Sequence, residues 1–171
     1  MISGADAPTF EEYAGTRWPS LYRSAYLLTG NHADAEDVAQ QTLLQAYRSW
    51  SKVIGSDSPD AYLRRMLTNT FLSARRPMKR RLELLTDAPP EQDTARPPHG
   101  LEDRMMLWPH VKSLPPRQRA VIVLRYYEDL SEQEIADALG CSRGTVKSTA
   151  HRALKALRAV LGPERNDGRE S

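Results

Sequence analysis

The chain has 171 residues, of which 40% are hydrophobic and 27% are charged, and its formal net charge at pH 7 is +2. This length and apolar content suffice for one ordinary domain or for two small ones with packed cores. So small a net charge excludes a protein that simply coats nucleic acid, so any nucleic-acid contact has to come from locally concentrated basic residues.

Neither a membrane anchor nor a disulfide is expected. No run approaches the roughly 18 apolar residues of a membrane span, and the first ten residues, MISGADAPTF, lack a basic segment followed by an apolar one. We therefore expect a cytoplasmic protein without membrane insertion. The single cysteine, Cys141, has no partner for an internal disulfide and is expected to be a small buried filler.

The first predicted helix follows a disordered lead over residues 1–8. Thr9 and Glu12 have the spacing of a capping box at its start, and apolar residues recur at helical spacing up to Gly30. Pro19 lies inside this run. The helix therefore either kinks just before Pro19 or restarts with Pro19 in its first turn.

Asn31 is expected to cap the second helix, whose early turns carry acids and amides with no base among them. Two interpretations of this face remain open. The carboxylates could simply stabilise the positive end of the helix dipole, or the face could be a protein-docking patch. The residues concerned are Asp34, Glu36, Asp37, Gln40 and Gln41.

Residues 51–58 are predicted to form a short polar loop, after which Ser58 and Pro59 open a third helix that runs to about Arg76. Tyr62 has the helical spacing of a core residue, although stacking on a nucleic-acid base is the other interpretation. The basic residues of this helix form a second candidate nucleic-acid surface: Arg64, Arg65, Arg75 and Arg76.

Residues 87–101 contain two Pro-Pro pairs and almost no apolar side chains, which predicts a flexible linker. The linker divides the chain into two small helical domains, over residues 9–86 and 102–162, with a disordered tail over residues 163–171. A helix beginning near Leu101 meets Pro109, so a kink or an early end is expected there.

The second domain ends in the pattern of a helix-turn-helix. Ser131 and Glu134 predict a capping box, Gly140 predicts the end of that helix, and a turn of about three residues leads to a new helix capped by Ser142. No acid occurs from Ser142 to Leu161, which argues against a merely solvated helix and favours a recognition helix in a DNA major groove. The candidate DNA-contacting residues are Ser142, Arg143, Thr145, Lys147, Ser148, His151 and Arg152.

The same helix has an apolar stripe expected to pack on the two helices before it. Its members are Val146, Ala150, Ala153, Leu154, Leu157 and Leu161.

Several of these segments resemble the extracytoplasmic-function (ECF) sigma factors, compact bacterial RNA polymerase initiation subunits that keep only domains two and four of the sigma-70 superfamily. In the first domain the resemblance is carried by DAEDVAQQTLLQAY and by YLRRMLTNTFLSARR, and in the second by LPPRQR, YYEDLS and GTVKS. The segment RWPSLYRSAYLLTG is similar to the opening pattern of an actinobacterial subgroup. Two positions depart from the family pattern, namely Ser73, where many members have Asp, and Pro109.

The resemblance implies an all-α protein that directs core RNA polymerase to promoters through a minus-10 and a minus-35 element. It assigns core polymerase docking to the acidic helix, and phosphate contacts in the minus-10 region to Arg64 and Arg65. Asn69 would bond a base or the backbone, Lys52 lies in the loop that would hold a flipped base, and Arg75 and Arg76 would hold the flanking duplex. Promoter DNA and core polymerase are the implied partners, an anti-sigma factor is a further candidate, and the free chain is expected to be monomeric.

Two other classes of function were weighed. A stand-alone helix-turn-helix regulator would use the same second domain but needs no polymerase to bind its operator. An enzyme is not expected, because no Gly-rich phosphate loop is present and the histidines lack paired metal-ligand spacing, so neither a cofactor nor a metal is predicted. These histidines are His32, His99, His110 and His151.

Overall fold

The structure is a computed structural model that describes residues 6–74 and 101–162, and residues 101–103 only in their backbone. All the secondary structure in these two ranges is helical. The helices are α1 (Phe10–Thr29), α2 (His32–Arg48), α3 (Trp50–Ile54), α4 (Pro59–Ala74), α5 (Leu101–Val111), α6 (Pro116–Ile122), a π-helical turn (Val123–Tyr127), α7 (Glu132–Leu139) and α8 (Arg143–Leu161). We call α1 to α4 the first module and α5 to α8 the second module.

Helix α1 begins at the predicted capping box and continues through Pro19. The Thr9 hydroxyl accepts a hydrogen bond from the Glu12 amide at 3.3 Å, and the Glu12 carboxylate accepts one from the Thr9 amide at 2.9 Å. The alternative of a restart at Pro19 is wrong, because a single helix buries Tyr13 before the proline and Leu21 after it. It ends at Gly30, whose φ of 82° is favourable for a residue without a Cβ.

The segment predicted as a loop over residues 51–58 is partly helical. Its first residues belong to α3, because Val53 is fully buried and the Ser49 carbonyl accepts hydrogen bonds from the Lys52 and Val53 amides. Residues 55–58 remain outside any helix. Helix α4 begins as predicted at Pro59, after the Ser58 hydroxyl has accepted a hydrogen bond from the Ala61 amide at 3.2 Å.

The two helices before the helix-turn-helix differ from expectation at their ends. Helix α5 does not end at Pro109 but extends to Val111, which is 1% exposed and belongs to the core. Helix α6 passes directly into the π-helical turn, whose last bond joins the Glu128 amide to the Val123 carbonyl. This wider turn was not predicted from the sequence.

The helix-turn-helix is confirmed in its helix boundaries and caps. Helix α7 starts at a capping box in which the Ser131 amide donates to the Glu134 carboxylate at 2.8 Å, and it ends at Gly140, whose φ is 65°. Three residues separate α7 from α8, and the Ser142 hydroxyl accepts a hydrogen bond from the Thr145 amide at 3.1 Å.

Two details of this region were predicted wrongly. In the apolar stripe of α8, Leu161 is 54% exposed, because it is the last residue of the helix and lies beyond the packed part. Cys141 is partly exposed rather than fully buried, although it packs against the core from the turn. The buried members of the stripe are Val146, Ala150, Ala153 and Leu157.

The two modules pack against each other. Helix α7 lies against α4, and α6 contacts the end of α1 and the inner side of α4. At this boundary Arg119 of the second module is 6% exposed, and Phe71 of the first module is completely buried. Arg75 and Arg76, the predicted linker up to residue 100 and the tail after Gly162 lie outside the described residues. In the described part of the chain no helix is long and apolar enough to cross a membrane.

Candidate functional site

The predicted recognition helix presents its two central cations to solvent. The side chains of Arg143 and Lys147 are 60% and 64% exposed. Ser142, Thr145 and Arg152 are also exposed, whereas Ser148 and His151 are partly buried. The structure therefore brings the predicted minus-35 residues together at the start of α8, where a helix enters a major groove in the helix-turn-helix arrangement.

Three of these side chains are already engaged locally. The Ser142 hydroxyl caps α8 and lies 3.0 Å from the Thr145 hydroxyl, and the Ser148 hydroxyl donates to the Thr145 carbonyl at 3.1 Å. Their conformations are thus fixed before any ligand arrives. His151 has its Nε2 atom buried without a hydrogen-bond partner, so this nitrogen does not face the open side of the helix.

A carboxylate that the sequence analysis missed lies beside the recognition cations. The two Glu132 carboxylate oxygens lie 3.3 Å from Arg125 Nη1, 3.6 Å from Arg143 Nη2 and 3.8 Å from Lys147 Nζ. Its position as the first residue of α7, directly after the Ser131 cap, was the available signal. Glu132 partly neutralises this face and orients its cations.

The candidate docking face on α2 is entirely exposed: Asp34, Glu36, Asp37, Gln40 and Gln41. Asp34 takes part in capping, since its amide donates to the Asn31 side chain at 2.8 Å and its carboxylate accepts from the Asn31 side chain at 2.7 Å. The side-chain amide of Gln40 donates a hydrogen bond to the Glu36 carboxylate at 3.2 Å. Capping thus accounts for Asp34 at the start of the helix.

The docking face continues into exposed apolar residues that the sequence analysis did not assign to it. Tyr47 is 59% exposed, and Leu44 is 49% exposed. The Tyr47 ring contacts Phe10 edge-on, with 5.2 Å between the ring centroids, so its position is fixed. Exposed aromatic and aliphatic groups beside acids are typical of protein interfaces.

The predicted minus-10 residues separate into exposed and covered groups. Lys52, Arg65 and Asn69 are exposed. Arg64 is partly buried and lies 3.9 Å from Glu128 of the second module. Tyr62 is partly buried and packs against the core, at the edge of a cavity of about 310 Å³ between α4 and α7.

A hydrogen-bond cluster between buried Tyr13 and the partly exposed Arg17 and Asp60 fixes the start of α4 on α1. The Tyr13 hydroxyl donates to Asp60 at 2.6 Å, and Arg17 Nε donates to the same carboxylate oxygen at 2.7 Å. Burial and then the hydrogen bond to Asp60 raise the pKa of Tyr13 well above its usual value. Within the described residues no group of histidine, cysteine, aspartate and glutamate side chains could hold a metal ion.

Comparison with protein families gives two matches, one in each half of the chain. The model of sigma-70 region 2 matches residues 17–81. The model of sigma-70 region 4 matches residues 111–157. Together they cover α1 from residue 17, all of α2 to α4 and the helix-turn-helix.

Curated relatives are similar along nearly their whole length. An RNA polymerase sigma-E factor of Streptomyces coelicolor is 44% identical, over 89% of this chain and 85% of the relative. That of Streptomyces avermitilis is 42% identical over 94% of this chain and 89% of the relative. The ECF RNA polymerase sigma factor SigL of Mycobacterium tuberculosis is 37% identical over 89% of this chain and 86% of the relative.

Two solved structures share the fold. The sigma factor RpoE of Bartonella quintana, in complex with the anti-sigma factor NepR, superposes with a TM-score of 0.63 at 28% identity, covering 91% of this chain and 98% of that one. The structure of CnrH with the cytosolic domain of CnrY has a TM-score of 0.56 at 24% identity, covering 89% of this chain and 86% of that chain.

Proposed function

This chain belongs to the sigma-70 family and is an RNA polymerase sigma factor of the ECF type, and we propose how its surfaces divide the work of transcription initiation. The exposed face of α8 reads the minus-35 element. The observation that carries this assignment is the pair of exposed cations, Arg143 and Lys147, on an acid-free helix that follows a three-residue turn.

The roles of the remaining α8 residues follow from their exposure. Arg143 and Lys147 reach bases, with His151 at the edge of the contact. Ser142, Thr145 and Arg152 hold phosphates, and Ser148 supports Thr145 through its hydrogen bond to the Thr145 carbonyl. Side chains that are fixed before binding lose less conformational entropy on the DNA.

The test is promoter binding by the reconstituted holoenzyme across a range of salt concentrations. Replacing Arg143 or Lys147 by alanine should cost about 1–3 kcal/mol if the residue reads a base, whereas loss of a phosphate contact should mainly reduce the salt slope by about one. Arg23→Ala, at an exposed arginine of α1, is the control. An unchanged affinity and salt slope in the double alanine variant would show that this face is not the reader.

Core polymerase docks on α2, and Leu44 and Tyr47 extend the polar face formed by Asp34, Glu36, Asp37, Gln40 and Gln41. Support comes from the full exposure of this face and from its combination of acids with apolar groups. Asp37→Lys combined with Gln40→Ala should weaken holoenzyme assembly in a pull-down while the circular dichroism spectrum stays unchanged. Full assembly by this variant would assign the acids to helix capping alone.

The loop after α3 and the exposed side of α4 melt and capture the minus-10 element. Lys52 and Arg65 attract the backbone, Asn69 bonds a base or the backbone, and Arg64 joins them once it is released from Glu128. Tyr62 stacks only if a base enters the cavity beside it, and Arg75 and Arg76 hold the flanking duplex. Variants at Lys52 and Asn69 should initiate poorly on paired DNA and recover on a premelted template.

We also propose the wider organisation given by the sequence: domain two over residues 9–86, a linker over residues 87–101 and domain four over residues 102–162. The chain acts in the cytoplasm as a non-catalytic subunit, and an anti-sigma factor regulates it, as NepR binds RpoE of Bartonella quintana. The region 2 match over residues 17–81 disfavours a stand-alone regulator, which has no need of that module.

A further inference from the structure

One carboxylate lies among three cations of the second module. One oxygen of Glu132 lies 3.3 Å from Arg125 Nη1, and the other lies 3.6 Å from Arg143 Nη2 and 3.8 Å from Lys147 Nζ. Arg125 belongs to the π-helical turn, whereas Arg143 and Lys147 lie on successive turns of α8. Glu132 therefore connects the start of the helix-turn-helix to the cations that are proposed to read bases.

The backbone position of Glu132 is fixed independently of these cations. It is the first residue of α7, and the Ser131 amide and hydroxyl form the capping box with Glu134 at this helix start. The Glu132 side chain is 22% exposed, whereas those of Arg143 and Lys147 are 60% and 64% exposed. The carboxylate is thus the more enclosed partner of both pairs, while the cations reach into solvent.

Helix capping alone does not account for this carboxylate. Acids in the first turn stabilise the positive end of a helix dipole, and α7 has two of them, Glu132 and Glu134. Glu134 closes the capping box with its carboxylate. The Glu132 carboxylate instead lies beside Arg143 and Lys147 of the next helix. Its contacts therefore concern the side of α8 that is proposed to face DNA.

Contacts to phosphates and contacts to bases respond differently to a neighbouring carboxylate. Binding to DNA of any sequence depends on cations that neutralise phosphates. A carboxylate this close to Arg143 and Lys147 competes for both cations and repels the phosphates. An arginine that reads guanine forms directional hydrogen bonds to the base edge, and its guanidinium has five N–H donors. One contact to Glu132 therefore leaves donors of Arg143 for a base.

The same contacts restrict the conformations of two long side chains. Arginine and lysine side chains lose rotamer freedom when they bind, and groups that are positioned beforehand lose less. This advantage applies only to DNA whose acceptors lie where the positioned donors point. Glu132 therefore favours a matching base sequence over other sequences.

We propose that Glu132 is a specificity-determining residue of the minus-35 reader. It acts through Arg143 and Lys147, so it is a positioning residue and needs no contact with DNA itself. Its carboxylate weakens binding to the phosphates of unrelated DNA more than it weakens binding to the bases of the element. The inference rests on the function proposed for α8.

The experiment measures the affinity of reconstituted holoenzyme for two promoter fragments that differ only in the minus-35 element. Glu132→Gln should lower the ratio of the two affinities about threefold to fivefold, mainly by raising the affinity for the substituted fragment. Asp137→Asn removes the same charge from an exposed position of α7, where the carboxylate accepts a hydrogen bond from Gln133 at 2.9 Å, and should leave the ratio unchanged. A wild-type ratio in Glu132→Gln would overturn the proposal.

A double-mutant cycle tests whether Glu132 acts through the two cations. In the Arg143→Ala, Lys147→Ala background, Glu132→Gln should change the ratio by less than about twofold, because the partners of the carboxylate are absent. An equal loss with and without the cations would refute the positioning role. If the double alanine variant alone leaves the ratio unchanged, the function proposed for α8 fails as well, whereas a loss confined to that variant refutes only the role of Glu132.

The conservative variant Glu132→Asp separates the charge from a purely structural role. It keeps the carboxylate at the start of α7, so the salt dependence of binding to the substituted fragment should stay close to that of the wild type. Glu132→Gln should make this dependence steeper. Equally steep salt dependences for the aspartate and glutamine variants would show that the negative charge of Glu132 does not control phosphate binding.

Discussion

Single carboxylates position several of the cations on the surface of this sigma factor, including three that are proposed to contact DNA. Glu132 lies within 3.8 Å of Lys147 and 3.6 Å of Arg143, and Glu128 lies 3.9 Å from Arg64. On the first module, Asp60 holds Arg17 at 2.7 Å. The pairs of Arg143 and Lys147 involve largely exposed cations and contribute little to folding stability, so their main effect is on the local surface charge.

The first prediction concerns Glu132→Gln. Removing this negative charge should increase the affinity of the chain for nonspecific duplex DNA a few-fold at low salt and make the salt dependence steeper, since Arg143 and Lys147 no longer share a carboxylate. Fluorescence anisotropy at several salt concentrations measures both quantities. Glu36→Gln, on α2, is the control, and equal salt slopes for the wild type and Glu132→Gln would contradict the prediction.

The second prediction concerns alkaline pH. Burial raises the pKa of Tyr127 to about 12, and its hydroxyl donates to the Arg104 carbonyl at 2.6 Å. Because the folded pKa lies above the unfolded value near 10, the stabilisation is complete below pH 10 and is lost as the pH rises toward 12. Urea unfolding at pH 9, 10 and 11 should show this fall.

Tyr127→Phe should make the fall shallower, because phenylalanine has no proton to lose, whereas Tyr47→Phe, at an exposed tyrosine, should not. An identical pH dependence in Tyr127→Phe and the wild type would contradict this account. Tyr13, whose pKa is raised by burial and by Asp60, accounts for part of the fall that remains in Tyr127→Phe.

At the scale of the helix, α1 shows how local caps and distant partners combine. Its start is stabilised within the sequence by Thr9 and Glu12, whereas its end combines a local Gly30 cap with Arg119 from the second module. The π-helical turn Val123–Tyr127 also combines local structure with a distant partner. It directly precedes Glu128, whose side chain accepts a hydrogen bond from Ser24 of α1. Such wide turns often occur at functional positions.

The third prediction compares two glycines of α1. At Gly30 the backbone has a φ of 82°, and an added Cβ would lie 3.3 Å from the Lys112 Cβ, so Gly30→Ala should destabilise the chain by about 1–2 kcal/mol. Gly15 lies in the exposed middle of the helix with nothing within 4 Å of an added Cβ, so Gly15→Ala should stabilise it by about 0.8–1 kcal/mol.

Denaturant midpoints measured under identical conditions decide this comparison. A lower midpoint for Gly30→Ala together with a higher midpoint for Gly15→Ala supports backbone strain at the Gly30 cap and tolerance of a side chain at Gly15. Stabilisation by Gly30→Ala would show that the positive φ and the Lys112 contact do not constrain this position.

At the scale of the molecule, the two modules share one buried boundary. Arg119 bonds to the end of α1, and Trp108 stacks on Tyr26 across the modules. Helices that bury common residues unfold together when their shared contacts outweigh the independent stability of each part.

The fourth prediction follows for unfolding of the free chain. Trp50 reports on the first module and Trp108 on the boundary, so variants that retain one of these tryptophans at a time should show the same urea midpoint by fluorescence and by circular dichroism. Introducing Glu128→Ala should separate the two midpoints, whereas Arg117→Ala should not. Well-separated midpoints in the single-tryptophan variants that carry neither Glu128→Ala nor Arg117→Ala would show that the modules fold independently.

The sequence determined the helical fold and most helix starts. Capping boxes at Thr9 and Ser131, the positive φ at Gly140 and the exposed cations of α8 depend on residues a few positions apart, so local spacing predicts them. Tertiary contacts decided the rest. Burial of Val53 made part of the predicted loop helical. Helix α1 continues through Pro19 because apolar residues on both sides of the proline are buried in the core.

Only the tertiary structure placed the second module against α1 and α4 of the first. Arg119 and Leu28 are 91 residues apart in the chain. At this separation the spacing of residues in the sequence does not predict that the two lie in contact. Arg119 donates a hydrogen bond to a carbonyl at the end of α1. In the sequence, nothing distinguishes it from the other arginine of LPPRQR. Its partner is a backbone carbonyl, which every residue carries, so the pairing is specified by the packing of α6 against α1 and not by side-chain type.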